Sequence, residues 1–205
     1  MSSKQLIGPA VVSGVLFCAY LLLRPYGDVH TGAPMAQAFA SPWWVVAHTC
    51  GALGLAAFAW LTISLADLHR TALTRWARRT ALGGVILVLP YYGVESVGLH
   101  EIGRRATTTG DLTLLDLADA IRMQPLSLTL FGLGLLLLAA GGILLGLAWQ
   151  RHGGAEWHWA AWPLGVLVAL VMPQFALPPA GRMAFGVLYL AAALLLAEAA
   201  RRRAH

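Results

Sequence analysis

The sequence predicts an all-α, polytopic integral membrane protein: a single domain over residues 1–205, built as a six-transmembrane-helix bundle with a short interfacial helix between helices 3 and 4. Three observations predict this. The 205-residue chain is 59% hydrophobic and only 11% charged, with mean hydropathy +0.70, whereas a soluble domain carries roughly 25% charged residues. Six segments, at 6–24, 42–66, 81–102, 125–149, 158–177 and 182–200, reach or approach the roughly 20 apolar residues that a span needs. The basic residues then sort by side. With the amino terminus inside, Lys4, Arg70, Arg75, Arg78, Arg79, Arg151, Arg201, Arg202 and Arg203 fall on inner segments, and Arg24, Arg104, Arg105, Arg122 and Arg182 on outer ones. That inward excess is the positive-inside bias. It predicts a multi-pass protein of a bacterial inner membrane with both termini cytoplasmic, and it assigns the net charge of +5 to topology and not to nucleic acid.

Taken in order, Lys4 precedes an apolar stretch that ends at Arg24-Pro25. The stretch has the length of a span and no small-residue cleavage site, so it reads as a retained helix and not a signal peptide. A loop over 26–41 follows, with Gly27, Gly32 and Pro34 as breakers and Asp28 and His30 within it. Helix 2 opens at Ser41-Pro42, an N-cap followed by a first-turn proline, and leaves into a basic inner loop over 67–80. Helix 3 carries Pro90, Gly93 and Gly98. In 110–122, Leu114, Leu117, Ala118 and Ile121 share a face away from Asp116 and Asp119. This is the pattern of a short helix on the surface or folded over the bundle mouth.

Helix 4 contains Gly132, Gly134, Gly141, Gly142 and Gly146, which permit close backbone approach to neighbours within the chain or to another subunit. Pro173 should kink helix 5, and Pro178-Pro179 stops it. Helix 6 has Arg182 at its start and Glu198 near its end. Trp76, Trp149, Trp157 and Trp159 mark the inner interface, and Trp43 and Trp44 the outer one. Cys18 and Cys50 lie at matching depths and read as small packing residues.

An ionisable residue inside a span is costly and points to a site. Glu95 is such a residue, within Pro90-Tyr91-Tyr92-Gly93-Val94-Glu95. Counting from the outer helix ends, His48 lies roughly 9 Å deep and Glu95 roughly 10 Å, so the two are level. Polar and aromatic groups therefore collect in the outer third of the bundle. Glu95 and His48 are the catalytic candidates, and Tyr91, Tyr92, Trp44, His100 and Gln174 are substrate-binding walls and rim. On a straight helix His100 lies about 140° from Glu95, which leaves it at the edge.

Three function classes use these ingredients. One is a membrane-embedded enzyme of cyclase or isomerase type, acting on an apolar, lipid-like or isoprenoid substrate drawn from the lipid bilayer. Glu95 would be its protonated acid and His48 its tuning partner. The second is a metal- or haem-binding redox module with His48, Glu95 and His100 as candidate ligands, its cofactor left open by the spacing. The third is a non-enzymatic subunit or assembly factor, for which the small residues of helix 4 offer an oligomer surface.

Overall fold

Ser41 ends one helix and begins the next, and junctions of this kind set the plan of the molecule. In the computed structural model, which describes residues 3–152 and 156–203, the described residues are helical with no strand. Helix α1 is Ile7–Leu23, entered through a 3-10 turn at Ser3–Leu6. Helix α2, Ala33–Ala40, occupies half of the stretch expected to be a loop. Its cause is local: Gly32 takes φ +74°, and Pro34 sits in the first turn, where its missing N–H costs nothing. Five of the next six residues after Gly32 favour or tolerate helix. The Ser41 hydroxyl then accepts from the Trp43 amide at 3.3 Å and opens α3, Pro42–Leu68.

The basic loop contracts to a few residues. A reciprocal capping box between Thr71 and Thr74 starts α4 at Ala72, so Arg75, Arg78 and Arg79 lie on the first helical turns. Helix α4, Ala72–Gly93, continues through a π-helical turn at Val94–Gly98 into α5, Leu99–Thr109. The resulting 38-residue rod is about 57 Å long at 1.5 Å per residue, nearly twice the bilayer core. A core of that thickness covers only part of the rod, and Glu101, Arg104 and Arg105 at its α5 end are exposed.

Helix α6, Leu115–Arg122, is the short helix anticipated between spans. Leu115 and Ala118 are its buried positions, and Leu117, placed on that face by the sequence pattern, is exposed. Helices α2, α5 and α6 share a small core of Ala36, Phe39, Trp44, Leu99, Ala106, Leu115 and Ala118, separate from the main bundle core. They cap one end of the bundle.

Helix α7 is Pro125–His152, α8 is Trp162–Ala169, and α9 is Pro179–Arg202. Five helices are long and apolar enough to cross a membrane: Ser3–Leu23, Pro42–Leu68, Ala72–Thr109, Pro125–His152 and Pro179–Arg202. The 158–177 segment, expected as a sixth continuous helix, is not one. Pro173 has no N–H for the Ala169 carbonyl and its ring crowds that position. Helix α8 accordingly stops at Ala169, and a 3-10 turn at Pro173–Ala176 follows. The segment still runs antiparallel to α7. The Trp149 indole donates to the Trp157 carbonyl at 2.7 Å at one end, and Phe131 meets Phe175 with ring centroids 6.0 Å apart at the other.

Gly134, Gly141, Gly142 and Gly146 of α7 pack tightly against residues of the same chain. A Cβ on Gly134 would sit 2.7 Å from Val88, and one on Gly142 would sit 2.5 Å from the Gly165 carbonyl. These two glycines thus pack α7 closely on α4 and α8. Gly142→Val should lower thermal stability by about 1–3 kcal/mol through overpacking. Gly83→Ala, where the added carbon would meet only Leu137 at 3.5 Å, should leave the melting temperature unchanged in the same detergent.

Buried polar contacts at mid-depth are few but real. The Ser13 hydroxyl donates to the Gly54 carbonyl at 2.9 Å and pairs with the Tyr189 hydroxyl at 3.1 Å, tying α1, α3 and α9. Cys18 and Cys50 are free thiols. Trp149 is buried in the bundle, whereas Trp76 and Trp159 are exposed as interface residues would be.

Candidate functional site

Glu95 is buried at the π turn, and the chain answers its charge with an arginine from α6. Arg122 donates to both carboxylate oxygens, Nε to Oε1 at 2.7 Å and a terminal nitrogen to Oε2 at 3.0 Å. This two-pronged geometry matches a carboxylate anion. A neutral carboxyl, as the protonated-acid expectation requires, would waste one of the two bonds and leave Arg122 without its counter-charge. Arg122 also lies 3.8 Å from Asp28, which is ion-paired with Arg24. Four charges from three separate stretches of sequence thus form one network.

Both arginines stay charged against their surroundings. Burial works to neutralise Arg122, but its hydrogen bonds to Glu95 and the charges of Glu95 and Asp28 outweigh this and raise its pKa above the ordinary arginine value. Burial acts on Arg24 in the same sense and is likewise overcome, with Asp28 and Glu95 among the groups that hold its guanidinium charged. Burial pushes the nearby Tyr26 hydroxyl up to about 12.

His48 stands on α3 across from Glu95, its Nε2 3.7 Å from Oε2. Its Nδ1 is 2.7 Å from the Trp44 carbonyl. A carbonyl only accepts, so Nδ1 carries the proton of the neutral ring and Nε2 presents a lone pair toward Glu95. Trp44 packs on the imidazole with centroids 4.2 Å apart and planes tilted by 39°, and its indole donates to the Glu95 carbonyl at 2.6 Å. The π turn places that carbonyl within reach; such bulges recur at functional sites.

Around these groups lies a cavity of about 350 Å³, in the size range of small-ligand pockets. Its polar wall comprises Tyr20, Arg24, Asp28, His48, Tyr92, Glu95, Arg122 and Arg182. Its apolar wall is Tyr91, Leu128, Phe131 and Phe175, with Tyr91 stacked on Phe131 at 4.2 Å.

The structure therefore brings together Glu95, His48, Tyr91 and Tyr92 of the residues read from the sequence. Trp44 is a fully buried support behind His48 and Glu95, neither an interface residue nor part of the lining. His100 turns away and bonds the Phe39 carbonyl at 2.8 Å. It belongs to the α2–α5 contact, so the proposed His48–Glu95–His100 ligand set does not assemble. Among the described residues no group of three or more His, Cys, Asp or Glu is placed to hold a metal ion. Gln174 is buried, but the residue from that turn that lines the cavity is Phe175.

Eight lining residues escaped the sequence reading as site members: the polar Tyr20, Arg24, Asp28, Arg122 and Arg182, and the apolar Leu128, Phe131 and Phe175. One signal was present. A buried carboxylate requires a cation, and Arg122 ends a short amphipathic helix at the same end of the bundle. Compared with protein-family models, curated proteins and solved structures, the chain gives no match.

Proposed function

We propose that this is a membrane-embedded enzyme that moves a proton on a lipid-like substrate, with His48 as the base. The supporting observation is the pairing of two acceptors, the His48 Nε2 lone pair and a Glu95 carboxylate oxygen, 3.7 Å apart in a cavity with an aromatic wall. The anionic oxygen facing the Nε2 lone pair raises the affinity of Nε2 for a proton taken from a substrate. Nε2 can take a proton from a substrate C–H or O–H, and the Glu95 carboxylate beside it stabilises the imidazolium that forms. Returning that proton to another substrate carbon completes an isomerisation with no further reactant, in keeping with the isomerase or cyclase class. Glu95 serves here as the stabilising anion.

The same reading places six crossings in a bacterial inner membrane. The broken 156–177 segment is the fifth, and the basic end at Arg75, Arg78, Arg79 and Arg201 is cytoplasmic. The cavity then faces the opposite side.

The test is incubation of purified full-length protein with a lipid extract of its host membrane, followed by mass spectrometry. The wild type should convert at least one lipid species that His48→Phe leaves untouched. Identical lipid profiles for wild type, His48→Phe and a no-protein control would contradict the enzymatic reading.

A further inference from the structure

The cavity wall carries a charge that the protein does not balance. Arg24, Arg122 and Arg182 face it against Asp28 and Glu95, so with His48 neutral the lining holds three positive and two negative groups. Arg182, at the start of α9, is partly exposed, whereas Arg24 is buried; an excess positive charge lining a cavity raises the local concentration of anions. Arg122 and Arg24 have carboxylate partners. Arg182 bonds only the backbone carbonyls of Phe175 and Leu177, and no carboxylate pairs with it among the described residues.

A second observation points the same way. The Arg24 Nε is buried in this lining and finds no hydrogen-bond partner. A guanidinium nitrogen only donates. A buried donor facing an excess positive charge calls for an acceptor-rich anion. The Asp28 Oδ1 also lacks a partner, and it fits a hydroxyl on the same ligand, as a singly protonated phosphate would present. Beside this polar corner runs the aromatic wall of Tyr91, Phe131 and Phe175, which has no use for a head group and suits a hydrocarbon chain.

We infer that the cavity binds an amphiphile with an anionic head group, a phosphate by preference, its head against Arg24 and Arg182 and its tail on the aromatic wall. The inference rests on the enzyme reading above and names the substrate class of that site.

Equilibrium binding tests it, with the full-length protein in a neutral detergent and calorimetric titration of three probes: dodecyl phosphate, dodecanol and inorganic phosphate. Dodecyl phosphate should bind one saturable site at least tenfold more tightly than either other probe. Arg182→Gln should weaken it by roughly tenfold or more, the loss expected for a charge-assisted contact, while Arg182→Lys, which keeps the charge, should recover much of the affinity. Dodecanol binding as tightly as dodecyl phosphate, or Arg182→Gln leaving the affinity unchanged in a folded protein, would overturn the head-group assignment. Inorganic phosphate binding as tightly as dodecyl phosphate would overturn the amphiphile in favour of a free anion. The two readings separate in His48→Phe. That variant should still bind dodecyl phosphate, so if it also retains lipid conversion the proton-transfer role fails while the anion site stands.

Discussion

Glu95→Gln is expected to destabilise the folded protein by about 3 kcal/mol, a large effect for a change that preserves shape. Removing one partner of a buried ion pair strands the other, at a usual cost of roughly 3–5 kcal/mol. The low end applies because the Arg122 side chain keeps 20% of its surface exposed and has Asp28 at 3.8 Å as a second anion. Thermal unfolding in detergent measures the effect. The double variant Glu95→Leu/Arg122→Leu should regain much of that stability, since an apolar pair carries no stranded charge, yet it should have no activity. A double variant that regains activity as well as stability would reduce the pair to structural glue.

His48→Phe is expected to reduce turnover by about 10²–10⁴-fold, the span typical of losing a positioned proton-transfer group. Its stability should change little. The ring contacts to Trp44 and Tyr20, with centroids 4.2 and 5.4 Å away, survive in kind, and no charge is removed if the ring is neutral. The cost is the Nδ1 bond to Trp44, about 1 kcal/mol. Initial rates on the converted lipid, beside melting curves of the same preparations, separate these outcomes. A variant that folds and retains wild-type turnover would remove His48 from the mechanism.

The apolar runs of helices 1 to 4 and 6 were legible because they and their caps are local properties: Ser41-Pro42 announces α3 and Arg24-Pro25 ends α1, while helix 3, expected at 81–102, extends over Ala72–Thr109. The 158–177 segment was not, because hydropathy sees its apolar content and overlooks what Pro173 does to the Ala169 carbonyl. Helix α2 was hidden by Gly32 and Pro34, which break a helix interior but serve a helix start. In the site, Glu95 and His48 could be matched by depth, since depth is one-dimensional along each helix. Arg122 and Asp28 come from the segments between spans, where the path of the chain is set by tertiary packing of Phe39, Leu99 and Leu115. That packing carries α6 back over the bundle end. His100 and Trp44 show the same gap from the other side: both lie at suitable depth, and both have their polar atoms committed to backbone at Phe39 and Glu95.

The mechanism requires Glu95 as an ionised carboxylate, held by Arg122 and facing a neutral His48. Infrared difference spectroscopy of wild type against Glu95→Gln, at neutral pH in detergent, reads its protonation state. The substitution should remove a carboxylate stretching band and leave the protonated-carboxyl region unchanged. Loss of a protonated C=O band would contradict the mechanism and return Glu95 to the role of acid.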